Sequence, residues 1–507
     1  MIKFKKALSA LLAAIMLMPL SACENNLDTT AEDTTSEATT AEPPATDDTH
    51  AEETAADETE AEESLTPGID SLTDEDKIQY TALAAQNAER ANVLGSVIEK
   101  YYARGRGSNI IFSMYINTDT MFPSNTASVW HITSALSMAS KLWAVDAGGN
   151  GSGFRDLHEK TYNAMQYYKG TAPIVNYNGT KEQTMYAVNR APAIGRASLA
   201  DVAAVYDDQM WIIRELVYCY KLTGDEKYLN EALQLTDVCL DAWDTSPLRD
   251  GEVGGIDWGP GYSSKHTCSN APLIKPLVEI YEIFRDEGRE NAEYYLDWAV
   301  KIYEWTNDQL RLPNEIYGDL VRPKNRKMDG DKWQSKGPLG SLDTATYSYN
   351  TGAMISAAAV LYRAVGDTSY LDDAVSSAKS AYKNFTVTAT VDGESVKQYS
   401  AYPREIYRSN TWFNLILLEG FIDLYPYDPE CKNYIDTYQQ SLDYAYEHHL
   451  TDKGLMPRDL YNGWNKTKKV SSSDSRCPDL EKDIMDQSSM AEMYAVLSAL
   501  YSSVIEK

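Results

Sequence analysis

The chain has 507 residues, with 46 Lys and Arg against 75 Asp and Glu, for a formal net charge of −29. That balance excludes nucleic acid as a partner, because phosphate binding needs a basic face. Hydrophobic residues make up 43% of the chain, enough to core one large domain or two ordinary ones.

The charge is unevenly placed. Lys3, Lys5 and Lys6 precede an apolar run from Ala7 to Met18, too short to span a bilayer but the right size for a signal-peptide core. The run ends in Leu20-Ser21-Ala22-Cys23, which resembles a bacterial lipobox. Residues 1–23 are therefore expected to be a lipoprotein signal peptide. Cys23 is expected to be the lipidated residue that holds the protein on the outer side of a bacterial membrane. Residues 24–76 hold nineteen acidic side chains and no Lys or Arg, leaving −13 for residues 77–507. Segment 24–70, rich in Thr, Glu, Asp and Ala, cannot offset its ordering entropy by burial and is expected to be a disordered linker. A flexible chain of that kind spans roughly 35–40 Å. Five further cysteines, Cys219, Cys239, Cys268, Cys431 and Cys477, show no C-x-x-C spacing and read as small buried hydrophobes.

From residue 76 onward the apolar period is helical, with almost no credible alternating strand pattern. The expected helices are 76–103, 127–146, 153–168, 198–223, 225–244, 268–287, 289–311, 347–366, 368–384, 404–425, 429–449 and 484–505. An internal repeat, Y-L-[N/D]-x-A, begins at Tyr228, Tyr295 and Tyr370 and is echoed at Tyr434, with spacings of 67, 75 and 64 residues. Two copies follow a Gly-Asp pair, Gly224-Asp225 and Gly366-Asp367, in which Gly closes one helix and Asp caps the next. Periods of this length mean one helical hairpin per repeat. The fold expected for 76–507 is all-α, an (α/α)6 barrel or toroid of six hairpins.

The loops locate the function. Connections near 147–152, 224, 288, 367 and 426–428 are short, whereas those near 104–126, 169–197, 245–267, 312–346, 385–403 and 450–483 are long, in strict alternation. In a hairpin ring all the long loops then emerge on one face, at the amino ends of the even-numbered helices, and long structured loops are usually functional. Helix 198–223 carries Tyr206-Asp207-Asp208-Gln209-Met210-Trp211 there. Adjacent acids usually mark a solvated face, but the helical neighbours of this pair are Ala203, Ala204, Val205, Met210, Trp211 and Ile212. Two carboxylates in apolar company need a reason. Their Cα atoms are about 3.8 Å apart, a separation compatible with carboxyl groups about 5–5.5 Å apart, as in retaining glycosidases. One carboxylate would attack an anomeric carbon while the other serves as acid and then base.

The run Tyr206-Asp207-Asp208-x-x-Trp211, followed by Leu222-Thr223-Gly224-Asp225 and Tyr228-Leu229, resembles glycoside hydrolase family 76, the endo-α-1,6-mannanases with an (α/α)6 barrel. Further matches follow in order: Gly254-Gly255-Ile256-Asp257-Trp258, Lys265 through Ser269-Asn270-Ala271, Tyr317-Gly318-Asp319, Tyr349-Asn350-Thr351-Gly352 and Gln487-Ser488-Ser489, covering residues 80–505. The resemblance implies Asp207 as nucleophile and Asp208 as general acid/base. It makes Trp258, Asn270, Asp319, Tyr349 and Asn350 candidates for binding an α-mannan or mannooligosaccharide. Each also has a structural reading: Trp258 as a loop staple, Asn270 as a helix cap, Tyr349-Asn350 as capping and packing. Thr351 stands where Gln is usual and His266 where Asn is frequent, departures that bear on subsites more than on the reaction.

The six His residues show no metal spacing, and no third carboxylate sits at a helical offset beside Asp207 and Asp208, so neither metal nor cofactor is expected. There is no G-x-S-x-G, P-loop or dinucleotide fingerprint. The expectation is a monomeric, surface-anchored endo-mannanase. Two alternatives share these residues: another (α/α)6 glycosidase, such as an unsaturated glucuronyl hydrolase or an inverting α-mannosidase, and a lipoprotein that captures glycan without cleaving it.

Overall fold

The structure is a computed structural model that describes residues 73–105, 110–149, 153–200, 202–403, 410–466 and 479–506. The signal peptide, Cys23, the linker expected over 24–70 and Cys477 lie outside the described residues. Among the described residues there are twelve α-helices. They are α1 (Asp74–Val97), α2 (Val129–Ala144), α3 (Gly153–Met165), α4 (Tyr206–Thr223), α5 (Glu226–Asp241), α6 (Ala271–Asp286), α7 (Ala292–Leu310), α8 (Ser348–Val365), α9 (Thr368–Asn384), α10 (Thr411–Leu424), α11 (Cys431–His449) and α12 (Ile484–Glu506). None of them is long and apolar enough to cross a membrane.

The even-numbered helices form a closed ring. Each packs on the next, α2 on α4 and so on to α12, and α12 packs back on α2. The odd-numbered helices lie outside, each against the inner helix that precedes it, and α1 lies against α12. Burial explains the assignment: α8 is buried without interruption from Asn350 to Leu361, whereas α9 buries one face. A helix apolar all round belongs inside, and an amphipathic one belongs at the surface. Each Leu or Ile fully buried in this ring contributes about 1.5–3 kcal/mol.

The repeat marks the outer ring, where all four Tyr copies lie in the first turn of an odd-numbered helix. Tyr228 packs edge-on to Tyr162 of α3, Tyr370 to Tyr303 of α7, and Tyr434 stacks on Tyr382 of α9. Three of the four thus rivet one outer helix to the one before it, while Tyr295 packs on Phe284 of its own hairpin. The Gly-Asp turns behave as expected: Gly224 and Gly366 have φ of 68° and 73°, and Asp225 and Asp367 accept from Lys227 N and Ser369 N.

Polar side chains fill the axis of the ring. Arg214 of α4 reaches across to Glu419 on the opposite inner helix, Lys275 pairs with Asp423, and Lys141 lies 3.6 Å from Glu215. α8 and α10 approach each other closely at the backbone. A Cβ on Gly352 would lie 2.6 Å from Ile416 O, and one on Gly420 would lie 2.6 Å from Gly352 O.

Two expectations are corrected. Helix 198–223 begins only at Tyr206, because Ala203 O accepts from Val188 N and Tyr206 N donates to Trp258 O, so the preceding residues serve as an extended loop tie. The long loops also contain strands. Hairpins run over Lys169–Asn176 and Gly179–Tyr186, Pro323–Asp329 and Lys332–Leu339, and Thr386–Val391 and Glu394–Tyr399. Their turns carry Asn178-Gly179, Asp329-Gly330 and Asp392-Gly393, the local signal for tight hairpins. A further strand, Ile111–Asn117, pairs antiparallel with Ala103–Arg104, Pro123–Thr126 and Glu481–Asp483, tying the loop before α2 to the loop before α12.

Candidate active site

The later start of α4 places Asp207 and Asp208 in its first turn, at the amino end of an inner helix on the face of the long loops. A helix amino terminus favours negative charge. Both side chains keep part of their surface open. Their hydrogen bonding is unequal. Asp207 Oδ2 accepts from Trp258 Nε1 at 2.8 Å and from the Cys268 thiol at 3.5 Å, and Asp207 Oδ1 accepts from the Asp208 backbone N–H at 2.8 Å.

That inequality sets the electrostatics. Surrounding protein desolvates both carboxyl groups and raises both above the ordinary carboxylate range. For Asp207 the rise is opposed by Trp258, the Asp208 N–H, nearby His266 and Cys268. Asp208 has no such opposition: desolvation leads, the Asp207 charge adds to it, and the group is pushed well above the usual range. Of the two, Asp208 therefore holds its proton to higher pH.

Trp258 is both a ring and a donor. Half-buried, it packs 4.5 Å from Tyr262 and 5.2 Å from His266. Its loop is clamped from beneath. Lys265, fully buried, lies 2.8 Å from Asp257 and 3.2 Å from Asp244, and donates to Gly255 O. Asp257 also accepts from Tyr177 Oη at 2.9 Å and pairs with Arg326 at 2.7 Å. Positive φ angles at Gly254 and Gly255 turn the loop over Trp305, where added Cβ atoms would meet its ring at 2.5 and 2.3 Å.

Tyr349, at the start of α8, joins the same site. It lies near Cys268, whose thiol donates to Asp207. Asp319 and His266 form a neighbouring pair, with Nδ1 3.2 Å from Oδ1, and the other ring nitrogen of His266 meets Ser264 Oγ at 2.9 Å. Asn270 lies deeper and is fully buried. Its amide donates to Ile256 O and His266 O and accepts from Ile256 N, so it fastens the loop. Asn350 is also buried, and neither of its amide atoms has a hydrogen-bond partner among the described residues. Thr351 Oγ1 accepts from Tyr317 N.

Around these groups lies an aromatic floor drawn from four inner helices: Trp130, Trp211, Tyr349, Trp412 and Phe413. Cys268, Tyr262 and Arg326 had no sequence signal for a place here. Cys268 read as a small hydrophobe, and Arg326 reaches Asp257 only because a hairpin folds back. Cys219, Cys239, Cys268 and Cys431 are buried and free. Among the described residues, no group of three or more His, Cys, Asp or Glu side chains is arranged to hold a metal ion.

Known proteins share this fold. The fold is similar to that of a family 76 mannosidase from Bacteroides thetaiotaomicron VPI-5482, with a TM-score of 0.63 and 24% identity over 82% of this chain and 99% of that one. It is also similar to an α-1,6-mannanase from Salegentibacter sp. HEL1_6, with a TM-score of 0.56 and 21% identity over 82% and 99% of the two chains. An inactive variant of the latter, with two consecutive aspartates replaced by alanine, has been solved in complex with α-1,6-mannotetrose. No curated protein sequence matches the chain. Residues 93–495 match the model for Glycosyl hydrolase family 76, so this chain belongs to that family and is a glycoside hydrolase.

Proposed function

We propose that the protein is a retaining endo-acting glycoside hydrolase that cleaves α-1,6-mannosidic linkages in mannan backbones. The observation that carries this reading is the unequal hydrogen bonding of two adjacent carboxyl groups. Asp207, held by three donors, stays ionised and attacks the anomeric carbon. Asp208, which keeps its proton, donates it to the leaving oxygen and then takes a proton from the water that releases the sugar. Adjacent positions in one helical turn fit the short carboxyl separation of a retaining enzyme better than the wider gap of an inverting one.

A neutral sugar needs rings to stack on, and Trp130, Trp258 and Tyr349 each keep part of their surface open. The complex of the Salegentibacter variant with α-1,6-mannotetrose supports the linkage, and its paired aspartate replacements support the roles given to Asp207 and Asp208. Lipid on Cys23 would hold the enzyme, as a monomer, at a bacterial cell surface where polymer is met before import.

Incubation with linear α-1,6-mannan, followed by chromatography, should yield a ladder of oligosaccharides. Proton NMR in early turnover should show net retention. Asp207→Asn and Asp208→Asn, checked for folding by circular dichroism, should each lose about 10²–10⁴-fold or more in kcat. Mannan digestion at the parental rate by either folded variant would sink the proposal.

A further inference from the structure

The hairpin Pro323–Asp329 and Lys332–Leu339 carries charge opposite to the rest of the protein. Between Arg322 and Lys336 there are six Lys and Arg and two Asp, in a chain whose net charge is −29. Its register separates two faces. Arg326 pairs across the hairpin with Ser335 and Met328 with Trp333, and this face meets the body at the first pair: Arg326 binds Asp257 and stacks over Trp333, and Ser335 donates to Asp244. The other face carries Lys327, Lys332 and Lys336, all exposed, with Asp329 opposite Lys332, and Arg322 and Lys324 are exposed beside them.

Lysines often guard exposed strand edges, and one or two would call for no further account. Here five cations are exposed together, and none forms an ion pair among the described residues. They also adjoin the active site. The chain enters the hairpin from Leu320–Val321, which pairs with Lys265–His266, and Arg326 donates to Tyr262 O beside Trp258. A neutral mannan gives such a patch nothing to bind.

We propose that this lysine face binds phosphodiester groups carried by the glycan substrate, holding charged polymer against the rim while the backbone is cleaved. Lysine binds phosphate as a mobile point charge, without the fixed fork that arginine offers to carboxylate and phosphate alike. The hairpin's inward-facing arginine, Arg326, is already engaged by Asp257. The proposal rests on the mannanase reading for its polymer, not for its charge chemistry.

The test compares an α-1,6-mannan bearing phosphodiester groups with the same mannan after chemical dephosphorylation. Wild type and a Lys327→Gln/Lys332→Gln/Lys336→Gln variant are assayed at low and high salt, and calorimetry measures binding of each polymer. At low salt the wild-type KM should be about tenfold lower on the charged polymer, the scale of three exposed ion pairs. That ratio should fall toward one at about 0.5 M salt and in the variant. Equal KM and equal binding for the two polymers in wild type would overturn the proposal, as would a ratio that survives the triple substitution. Lysine-dependent binding to phosphatidylglycerol vesicles with no polymer preference would assign the face to a membrane and also overturn it. If neither polymer is cleaved, the mannanase reading fails, and calorimetry still decides the lysine face.

Discussion

Trp258→Phe removes one hydrogen bond from Asp207 and keeps most of the ring. The indole N–H lies 2.8 Å from Asp207 Oδ2, and this donor helps hold down a carboxyl group that desolvation raises. A hydrogen bond to a charged group is worth about 1.5–3 kcal/mol, so complete loss would favour the protonated form of Asp207 by at least about tenfold at a given pH. Asp207 keeps some solvent access, and water can take over part of the donation, which favours the lower end of that range. The sign follows from which form is stabilised. Trp258 stabilises the ionised form, so its removal lets Asp207 protonate at higher pH, and the acidic limb of kcat/KM moves up.

Cys268→Ala should move the same limb by less, since a thiol is a weaker donor and lies 3.5 Å away. Cys268→Ser should restore it, because a hydroxyl keeps a donor in place. The groups facing Asp207 are Asp208 on its own helix, His266, Cys268, Tyr262 and Tyr349 from the loops and α8, and Cys239 behind. The substitutions remove none of these except Cys268. The assay is initial rates on an α-1,6-mannooligosaccharide from about pH 3.5 to 7, bracketing ordinary and raised carboxylate values. If Trp258→Phe lowers kcat/KM equally at every pH and leaves the limb in place, Trp258 is a stacking surface only and the account of Asp207 is refuted.

Asp208→Asn should raise thermal stability at neutral pH, by about 0.5–2 kcal/mol as for other relieved active sites. A carboxyl group raised in the folded state makes that state bind more protons than the unfolded one, so wild-type stability falls as pH rises above the unfolded value of about 3.9. Melting temperatures of the two proteins should therefore converge near pH 3–4, and a constant gap across pH would contradict this origin. Lys265→Met should cost about 3–5 kcal/mol, because it takes from buried Asp244 its cation and leaves Asp257 with Arg326 alone, and denaturant titration reads this directly. Gly352→Ala should cost about 1–3 kcal/mol or more by forcing α8 and α10 apart where a Cβ would meet Ile416 O at 2.6 Å. Unchanged stability would mean that the contact is looser than described.

Much of the ring was legible before any coordinates. Twelve apolar periods, alternating loop lengths and the Tyr repeat are local patterns, and each reports on the segment that carries it. Caps such as Asp225 and Asp367 are equally local. Strands in the long loops escaped notice because their pattern is lysine- and threonine-rich, with only the Asn-Gly and Asp-Gly turns to mark them. The apolar period of residues 198–205 runs smoothly into α4, so the sequence alone starts that helix too early. Nothing in those residues reveals that Tyr206 N is committed to Trp258 O.

By itself, then, the sequence determined an all-α ring of hairpins, the face that carries its long loops and the position of the adjacent aspartate pair on that face. Tertiary structure alone decided that the pair is unequal. Trp258 and Cys268 come from 51 and 61 residues further along the chain, and their hydrogen bonds to Asp207 exist only after the ring closes. Helical period is written in neighbours, whereas a pKa difference between neighbours is set by partners distant in the chain.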